Sequence, residues 1–256
     1  MDDHSEAGHA TRRMAGILAS VRVARWVGSR GMDEVLAGEL KGMGEQQVLA
    51  VGAFFGAVSG DPALVAACRG RLGWDPTQDP VEMWRDGPPR LLTGVEWPDA
   101  PPAAARVIEL AADHLARLRA IVEEHGWPGR SLVGEDGADA AWFLAMHSDR
   151  DPSFQRRCIA LLERAVEAGE ADPRHLAGLV DRVESAASGT QQFGTVAMMH
   201  EGRALFLVPV SVPDGLDVRR RAIGLPPVQD DLALEAGQLP YRHLRKSPSY
   251  AWPARG

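Results

Sequence analysis

Three of the five Asp-Pro dipeptides in this chain constrain its fold more than any other feature. Asp61-Pro62, Asp151-Pro152 and Asp172-Pro173 each stand directly before an apolar stretch. An aspartate side chain accepts the unpaired N–H groups of a first helical turn, and proline fits the first helical position because it has no N–H to pair. Each dipeptide therefore predicts the start of a helix, and together they favour a mostly α fold.

Apolar spacing predicts further helices. The clearest is Ala103–His125, in which apolar residues recur every three or four positions until Gly126-Trp127-Pro128 ends it. The segment Gln46–Val58 is apolar on every side, which predicts that it is buried. The other helices are predicted over about Thr11–Val27, Met32–Met43, Asp136–Ser148 and Asp217–Ile223.

The pattern changes after residue 190. Gln192–Met199 and Ala204–Val210 flank a turn at residues 200–203, and the β-branched and aromatic residues of the second run are typical of a strand, which predicts a small antiparallel β-hairpin. The predicted fold class is thus mostly α, with a single helical domain over residues 13–234 and the hairpin in its C-terminal part. A flexible N-terminus and a loosely ordered tail are predicted at residues 1–12 and 235–256.

A long connection between predicted helices, residues 73–102, is rich in Pro, Gly, Asp and Trp. Its indoles are at Trp74, Trp84 and Trp97. Irregular loops of this length are uncommon unless they carry function or cover another part of the protein. We expect the indoles to pin this connection to the surface.

Charge and composition exclude several classes of partner. The 256 residues include 28 basic and 35 acidic side chains, with a net charge of -7, and no Lys/Arg block of the kind that follows a phosphate backbone. The longest apolar run, Val48–Val58, is about half the length of a membrane span. Arg22 and Arg25 interrupt the early apolar stretch that a signal peptide needs. The two cysteines, Cys68 and Cys158, form no CxxC pair, as is usual in a reducing cytoplasm. We predict a cytoplasmic protein that binds neither nucleic acid nor membranes.

Polar residues capable of chemistry stand near the ends of the predicted helices. His147 falls in a last helical turn, where the partial negative charge of the helix favours an imidazolium and raises the pKa. It is either a helix C-cap or a general acid or base. Asp149 follows the same helix end, where a carboxylate is unfavourable unless Arg150, Arg156, an N–H of the next helix or a ligand compensates it.

Asp181 and Arg182 are adjacent, so on a helix they point about 100° apart and do not pair with each other. Arg182 offers a two-pronged donor for a carboxylate or phosphate. The alternative is an internal salt bridge from Arg182 to Asp149 or Glu170. Gln155 stands at the margin of a buried face, where an amide either orients a ligand or bonds a neighbouring loop.

The sequence contains no established catalytic or cofactor motif. It has no nucleophile elbow and no glycine-rich phosphate loop. His147, Asp149 and Asp151 resemble metal ligands on a loop, with Asp181 or His175 as a further ligand, but no HExxH or paired CxxC spacing supports them. We therefore predict no metal and no cofactor.

The central segment resembles a bacterial family of uncharacterised domains with the pattern HGWP, SLVGE, AAW, HxD, FQ, VxxGE, LxDRV and QxYGT. The matching residues here are His125–Pro128, Ser131–Glu135, Ala140–Trp142, His147 with Asp149, Phe154-Gln155, Val166 with Gly169-Glu170, Leu179 with Asp181–Val183, and Gln191 with Phe193–Thr195. The resemblance extends loosely over about residues 35–230, including Glu39, Leu40 and Met43, with a family-like core at about 103–225. It implies a mostly helical domain whose polar motif residues form an active site, and it implies no particular reaction.

The chain departs from this pattern at three positions. Met146 stands where the family tends to have Gln, Val196 replaces the Gln after Gly-Thr, and Gln46 falls where an Asp is common. The first two changes remove a polar group and the third removes a charge. They indicate either a pocket for a more apolar ligand or a loss of catalysis.

We predict an enzyme that acts by acid/base chemistry, without a cofactor, on a small metabolite or peptide, with a role in bacterial specialised metabolism conceivable. His147 is the predicted acid or base, Asp149 or Asp181 orients it, and Arg182 binds an anionic group. The predicted substrate-binding residues are Gln155, Gln191, Thr195 and Trp142. The alternatives are a non-catalytic member that binds a small molecule or a protein, and a metal-dependent hydrolase. Assembly into a homo-oligomer stays open.

Overall fold

A computed structural model of the chain describes residues 31–75, 77–78, 89–200, 204–228 and 230, with the backbone alone at 197–200 and 204–207. Several predictions lie outside the described residues. They concern the helix Thr11–Val27, the indole of Trp84, the turn at 200–203 beyond its first residue, and the two chain ends at 1–12 and 235–256.

Most of the described residues are helical, so the helical part of the predicted fold class is confirmed. The α-helices are α1 (Glu34–Gly60), α2 (Pro62–Leu72), α3 (Pro102–His125), α4 (Arg130–Met146), α5 (Pro152–Glu167), α6 (Pro173–Ser188) and α7 (Leu216–Ala222). A 3-10 turn, Leu92–Gly94, lies in the connection between α2 and α3.

The three Asp-Pro dipeptides start helices as predicted. The carboxylate of Asp61 accepts the N–H of Ala63 at 2.9 Å at the start of α2. Asp151 and Asp172 cap α5 and α6 in the same way. Since proline follows each aspartate, one of the unpaired donors of each first turn is removed and another is satisfied.

The predicted helices Met32–Met43 and Gln46–Val58 are wrong as separate elements, because both belong to the single helix α1. Gly44 does not break it, since this glycine lies against Ala140 of α4, where a Cβ would come within 3.2 Å of the Ala140 Cβ. The prediction that Gln46–Val58 is buried all round is also wrong. Leu49 is 73% exposed, because the described neighbours of α1 cover one side of it.

The β-hairpin predicted over Gln192–Met199 and Ala204–Val210 is wrong for the residues whose side chains are described, 192–196 and 208–210. Residues 191–196 and 208–215 contain an isolated bridge between Gln191 and Val210, and no strand or sheet occurs where side chains are described. The backbone of β1 (Ala197–His200) runs antiparallel to that of β2 (Ala204–Leu207). The physical reason is that buried side chains, not a ladder, take up the backbone N–H groups of 192, 193, 195 and 196.

Two hydrophobic clusters lie side by side along α1 and α3. The first joins the N-terminal half of α1 and the C-terminal half of α3 to α4, α5 and α6. The second joins the C-terminal half of α1 and the N-terminal half of α3 to α2 and to the connection between α2 and α3. In that connection Val95 is buried, and Trp74 and Trp97 pack in this cluster, as predicted for the indoles. Gln47 and His114 are buried between the clusters, with 3.1 Å between Oε1 and Nδ1.

The first cluster brings three helix segments together. It packs α4, α5 and α6 around buried residues such as Leu144, Cys158 and Leu179. The end of α4, the start of α5 and the middle of α6 therefore meet at one place. Within the described ranges no single helix is long and apolar enough to cross a membrane, while α1 and α2 pass that test together with a 113° bend between them.

Candidate functional site

Asp149 is the centre of the polar groups that follow α4. Its side chain is 4% exposed and pairs with Arg182 of α6. Arg182 donates from Nε to Oδ1 at 3.0 Å and from Nη2 to Oδ2 at 2.7 Å. This two-pronged pair is the internal salt bridge that the sequence offered as an alternative to anion binding by Arg182.

Two further donors complete the surroundings of Asp149. The Thr93 hydroxyl donates to Oδ2, and the Gln155 Nε2 donates to Oδ1 at 3.2 Å. Burial by itself raises the pKa of the Asp149 carboxyl, but the Arg182 guanidinium and these hydrogen bonds outweigh burial and hold the pKa below its ordinary value. Asp149 is therefore ionised at neutral pH, and both of its oxygens are occupied.

His147 lies at the C-terminal cap of α4. Its Nδ1 is 2.8 Å from the carbonyl oxygen of Phe143. Because a carbonyl only accepts, Nδ1 carries the hydrogen, and in the neutral ring Nε2 keeps a lone pair. His147 is partly buried and lies within the electrostatic reach of Arg182 and Asp149.

The prediction that the pKa of His147 is raised is wrong. Burial and then the nearby Arg182 guanidinium lower its pKa to about 4. The Phe143 carbonyl and Asp149 act in the opposite direction and are weaker. The carbonyl at the helix end does raise the pKa of His147, as the sequence suggested. Its effect is smaller than the lowering of the pKa by desolvation and by the neighbouring positive charge. We refer below to Thr93, His147, Asp149, Gln155 and Arg182 as the Asp149 cluster.

Asp181 belongs to a different group of contacts. It is fully buried and accepts the N–H groups of Gln192 at 2.7 Å, Phe193 at 3.0 Å and Thr195 at 3.0 Å, together with the Thr195 hydroxyl at 2.8 Å. Burial raises the pKa of the Asp181 carboxyl in spite of these hydrogen bonds. No described hydrogen bond or ion pair joins Asp181 to His147, so the geometry gives no support to Asp181 as the group that orients the imidazole.

Gln191 and Thr195 also lie with Asp181. The amide of fully buried Gln191 donates to the carbonyls of Val208 at 2.7 Å and Val196 at 2.9 Å, and its oxygen accepts the Val196 N–H at 2.8 Å. We call Asp181, Gln191 and residues 192–195 the Asp181 cluster. Its described contacts close a loop and leave the predicted substrate-binding roles of Gln191 and Thr195 without support.

The opposite side of the same loop is held by arginines. Fully buried Arg220 donates to the carbonyls of Phe193 at 2.7 Å and Gly194 at 3.0 Å. Gly194 has a φ of 67°, a conformation that glycine adopts without steric cost. Gly194 therefore occupies a left-handed position in a loop, whereas the sequence predicted a strand there.

Trp142 stands one helical turn before Met146 on α4, away from the described contacts of Asp149. Its ring is stacked on that of His175, with 4.4 Å between centroids. Its indole also lies against Gly178 of α6, where a Cβ would come within 3.1 Å of the ring. The Trp142 Nε1 is buried and has no hydrogen-bond partner among the described residues.

The metal ligands considered from the sequence do not come together. Asp151 caps α5 and pairs with Arg119 at 3.1 Å, and His175 lies against Trp142. In the part of the chain that is described, no three His, Cys, Asp or Glu side chains are placed to hold a metal ion. The alternative of a metal-dependent hydrolase therefore has no ligand set in those residues.

Sequence reasoning missed Thr93. This residue is buried in the connection whose length suggested that it covers something. A Thr-Gly pair in an irregular segment carries no signal of its own, and its partner Asp149 lies 56 residues away. The unusual length of the connection was the one available indication.

Comparison with known proteins finds one match. The model of a family of unknown function (DUF6624) matches residues 89–238. No curated protein matches the chain, and no solved structure matches it. The matched range contains every member of both clusters and begins well after α1, although Glu39, Leu40 and Met43 of α1 had been included in the resemblance seen in the sequence.

Proposed function

This chain belongs to DUF6624, a family of unknown function, and from that premise we propose that it is an enzyme that uses His147 as a general base without a resident cofactor. One observation carries the proposal. A partly accessible, neutral imidazole is fixed through Nδ1 to the Phe143 carbonyl beside a buried Arg182–Asp149 pair. An oriented base next to a fixed positive charge is a recurrent arrangement for proton transfer.

The electrostatics favour a particular kind of proton transfer. With a pKa of about 4, His147 is unprotonated at neutral pH and is a weak base in the free protein. Negative charge that develops on the substrate during the reaction would stabilise the imidazolium and strengthen this base. We infer that His147 removes a proton from a group that becomes negatively charged as it reacts.

Arg182 is suited to receive that developing charge. A guanidinium has five N–H groups, and the hydrogen bonds to Asp149 use two of them. Its side chain is 18% exposed, so part of it is open to a bound molecule. Asp149 would hold the guanidinium in place, and Gln155 would hold Asp149.

The charge of the Asp149 cluster bears on the substrate. Neutral His147, ionised Asp149 and Arg182 sum to no net charge, so attraction for a fully charged anion is weak. The cluster favours a substrate whose reacting group is uncharged before the reaction, such as a C–H group next to a carbonyl, which would give its proton to Nε2 of His147 and leave the negative charge on the carbonyl oxygen. A small metabolite or peptide of bacterial specialised metabolism fits this description.

Metabolite profiling tests the proposal without a named substrate. The full chain is incubated with a pooled bacterial metabolite extract, and mass spectrometry follows the loss of one ion and the gain of another. We expect this conversion with the native protein and with Arg156→Gln, which alters an exposed arginine of α5, and no conversion with His147→Gln. Conversion by folded His147→Gln at the native rate would refute His147 as the base.

A non-catalytic binding protein is the second candidate, and buried donors favour it. Trp142 Nε1 and Ser185 Oγ have no partner among the described residues, and Ser185 lies one turn after Arg182 on α6. Buried polar groups normally pair with protein, water or ligand. Retention of one metabolite by the native protein, with no conversion of any, would favour this candidate.

A further inference from the structure

Thr93 reaches the Asp149 cluster from outside the helices. It lies in the 3-10 turn Leu92–Gly94 and is 3% exposed. Its hydroxyl donates to the Asp149 oxygen that also accepts Nη2 of Arg182. The other described donors to Asp149, Arg182 and Gln155, lie on α6 and α5, so Thr93 approaches the carboxylate from a separate part of the chain.

The neighbours of Thr93 hold the turn directly against Asp149. A Cβ on Gly94 would be 3.1 Å from the Asp149 Cβ, so the backbone at Gly94 comes as close as a glycine allows. Two residues later Glu96 pairs with Arg150 at 3.0 Å, near the surface. The turn thus packs against Asp149 and Arg150, which lie in the connection between α4 and α5.

The hydroxyl has a geometric consequence for Arg182. A carboxylate rotates about its last bond unless both oxygens are held. Thr93 holds Oδ2 and Gln155 holds Oδ1, and in that orientation the carboxylate presents both oxygens to Nε and Nη2 of Arg182. Thr93 and Gln155 therefore both favour the carboxylate orientation in which the guanidinium is held.

We propose that Thr93 is a positioning residue that acts through Asp149 to hold the Arg182 guanidinium beside His147. The inference rests on the proposed function, since it concerns the same site. Thr93 itself would touch neither substrate nor reacting atoms. Its contribution would be to keep the base and the positive charge in a fixed relation.

The state of His147 reports this positioning without any need for turnover. The charged groups that act on His147 are Arg182, which lowers its pKa, and Asp149, which raises it. Loss of the Thr93 hydroxyl would loosen Arg182 and leave the Asp149 charge less well compensated. Both changes act in the same direction, so the pKa of His147 should rise.

An NMR titration of the imidazole C–H signals in the full chain measures this effect. The signal of His147 is assigned by its absence from His147→Gln. We expect Thr93→Val to raise the pKa of His147 from about 4 by about one unit, and Thr93→Ser, which keeps the hydroxyl, to leave it unchanged. An unchanged pKa in folded Thr93→Val, or the same rise in Thr93→Ser, would overturn the proposal.

Matched variants separate positioning from simple docking of the turn. Glu96→Gln weakens the same turn through an exposed side chain that does not touch Asp149, and we expect it to leave the pKa of His147 unchanged. If Thr93→Val does not fold, Gly94→Ala displaces the turn from Asp149 and should raise the pKa of His147 in the same direction. An equal rise in Glu96→Gln, or none in Gly94→Ala, would refute a specific role of Thr93.

The two proposals fail separately. If His147→Gln keeps its turnover while Thr93→Val still raises the pKa of His147, the positioning inference stands and the assignment of His147 as base fails. If turnover depends on His147 but Thr93→Val leaves the pKa of His147 unchanged, the proposed function stands and the positioning inference fails.

Discussion

Asp149 and Asp181 are both buried carboxylates with four hydrogen-bond donors around them, and they differ in the charge of those donors. Asp149 has a guanidinium among its partners, and its pKa is held below the ordinary value. The described hydrogen-bond donors to Asp181 are backbone N–H groups and a hydroxyl, and burial raises its pKa. The neutral donors around Asp181 do not offset its desolvation, whereas the positively charged donor paired with Asp149 does.

The two carboxylates also serve different parts of the fold. Two adjacent residues of α6 connect the two carboxylates. The first is Asp181 itself, and the second is Arg182, which forms the ion pair with Asp149. Side chains of neighbouring helical residues point about 100° apart, so one dipeptide supplies a loop on one side of the helix and a candidate site on another. We therefore expect a substitution in one cluster to leave the other cluster unchanged.

The largest effect should follow from removing the positive charge. Arg182→Met leaves Asp149 buried without its charged partner, which should cost about 3–5 kcal/mol of unfolding free energy. Urea unfolding near pH 7 measures the loss. The double variant Arg182→Met with Asp149→Asn should regain part of it, because no unpaired charge then remains. A loss of less than about 1 kcal/mol would mean that Asp149 does not depend on Arg182.

The next effect concerns pH. The folded pKa of His147 is about 4 against an ordinary value of 6.5, so the unfolded chain takes up this proton first as the pH falls. The stability that neutral His147 contributes is present above pH 6.5 and is lost as the pH falls towards about 4, by up to about 3 kcal/mol. Urea unfolding of the native protein and of His147→Gln across this range isolates the contribution. Parallel curves for the two proteins would contradict the buried neutral imidazole.

A smaller loss is expected on the Asp181 side. Asp181→Asn places an NH2 group among donors that need an acceptor, which should cost about 1–3 kcal/mol. Hydrogen exchange should become faster at the N–H groups of Gln192, Phe193 and Thr195, which this carboxylate binds. The imidazole signals of His147 should not move. A change in the His147 titration would show that the two clusters are coupled.

The smallest effect tests one hydrogen bond of the Asp181 cluster. Thr195→Val removes the hydroxyl that donates to Asp181 and keeps the backbone N–H bond, at a cost of about 1 kcal/mol. Thermal unfolding detects the change. Thr93→Val is its counterpart in the Asp149 cluster, and only that variant should move the pKa of His147. Equal movement in both would remove the distinction between the clusters.

Local signals predicted the helices well and the region after α6 poorly. The Asp-Pro starts of α2, α5 and α6 depend on interactions within a single turn, so a short stretch of sequence contains them. The composition and turn signal behind the hairpin prediction are also local, yet residues 192–195 are a loop. Side chains of Asp181 and Gln191 occupy the backbone donors there, and spacing along the chain does not reveal such long-range competition.

The candidate site was predictable as a list of residues more than as an arrangement. The sequence named His147, Asp149, Gln155 and Arg182, and it included the Asp149–Arg182 salt bridge among its alternatives. It also assigned Asp181, Gln191 and Thr195 to this site, but their described contacts form the separate Asp181 cluster. It also assigned the wrong direction to the pKa of His147, because the shift depends on burial and on a guanidinium 35 positions later in the chain.

The amino-acid sequence by itself determined where helices begin, which residue types carry chemistry, and membership of a family that no known reaction defines. Only the tertiary structure decided which carboxylate meets a guanidinium, which one closes a loop, and that Thr93 touches Asp149 at all. The reason is physical. Capping acts over a few residues, whereas desolvation and charge pairing depend on what packs nearby from anywhere along the chain.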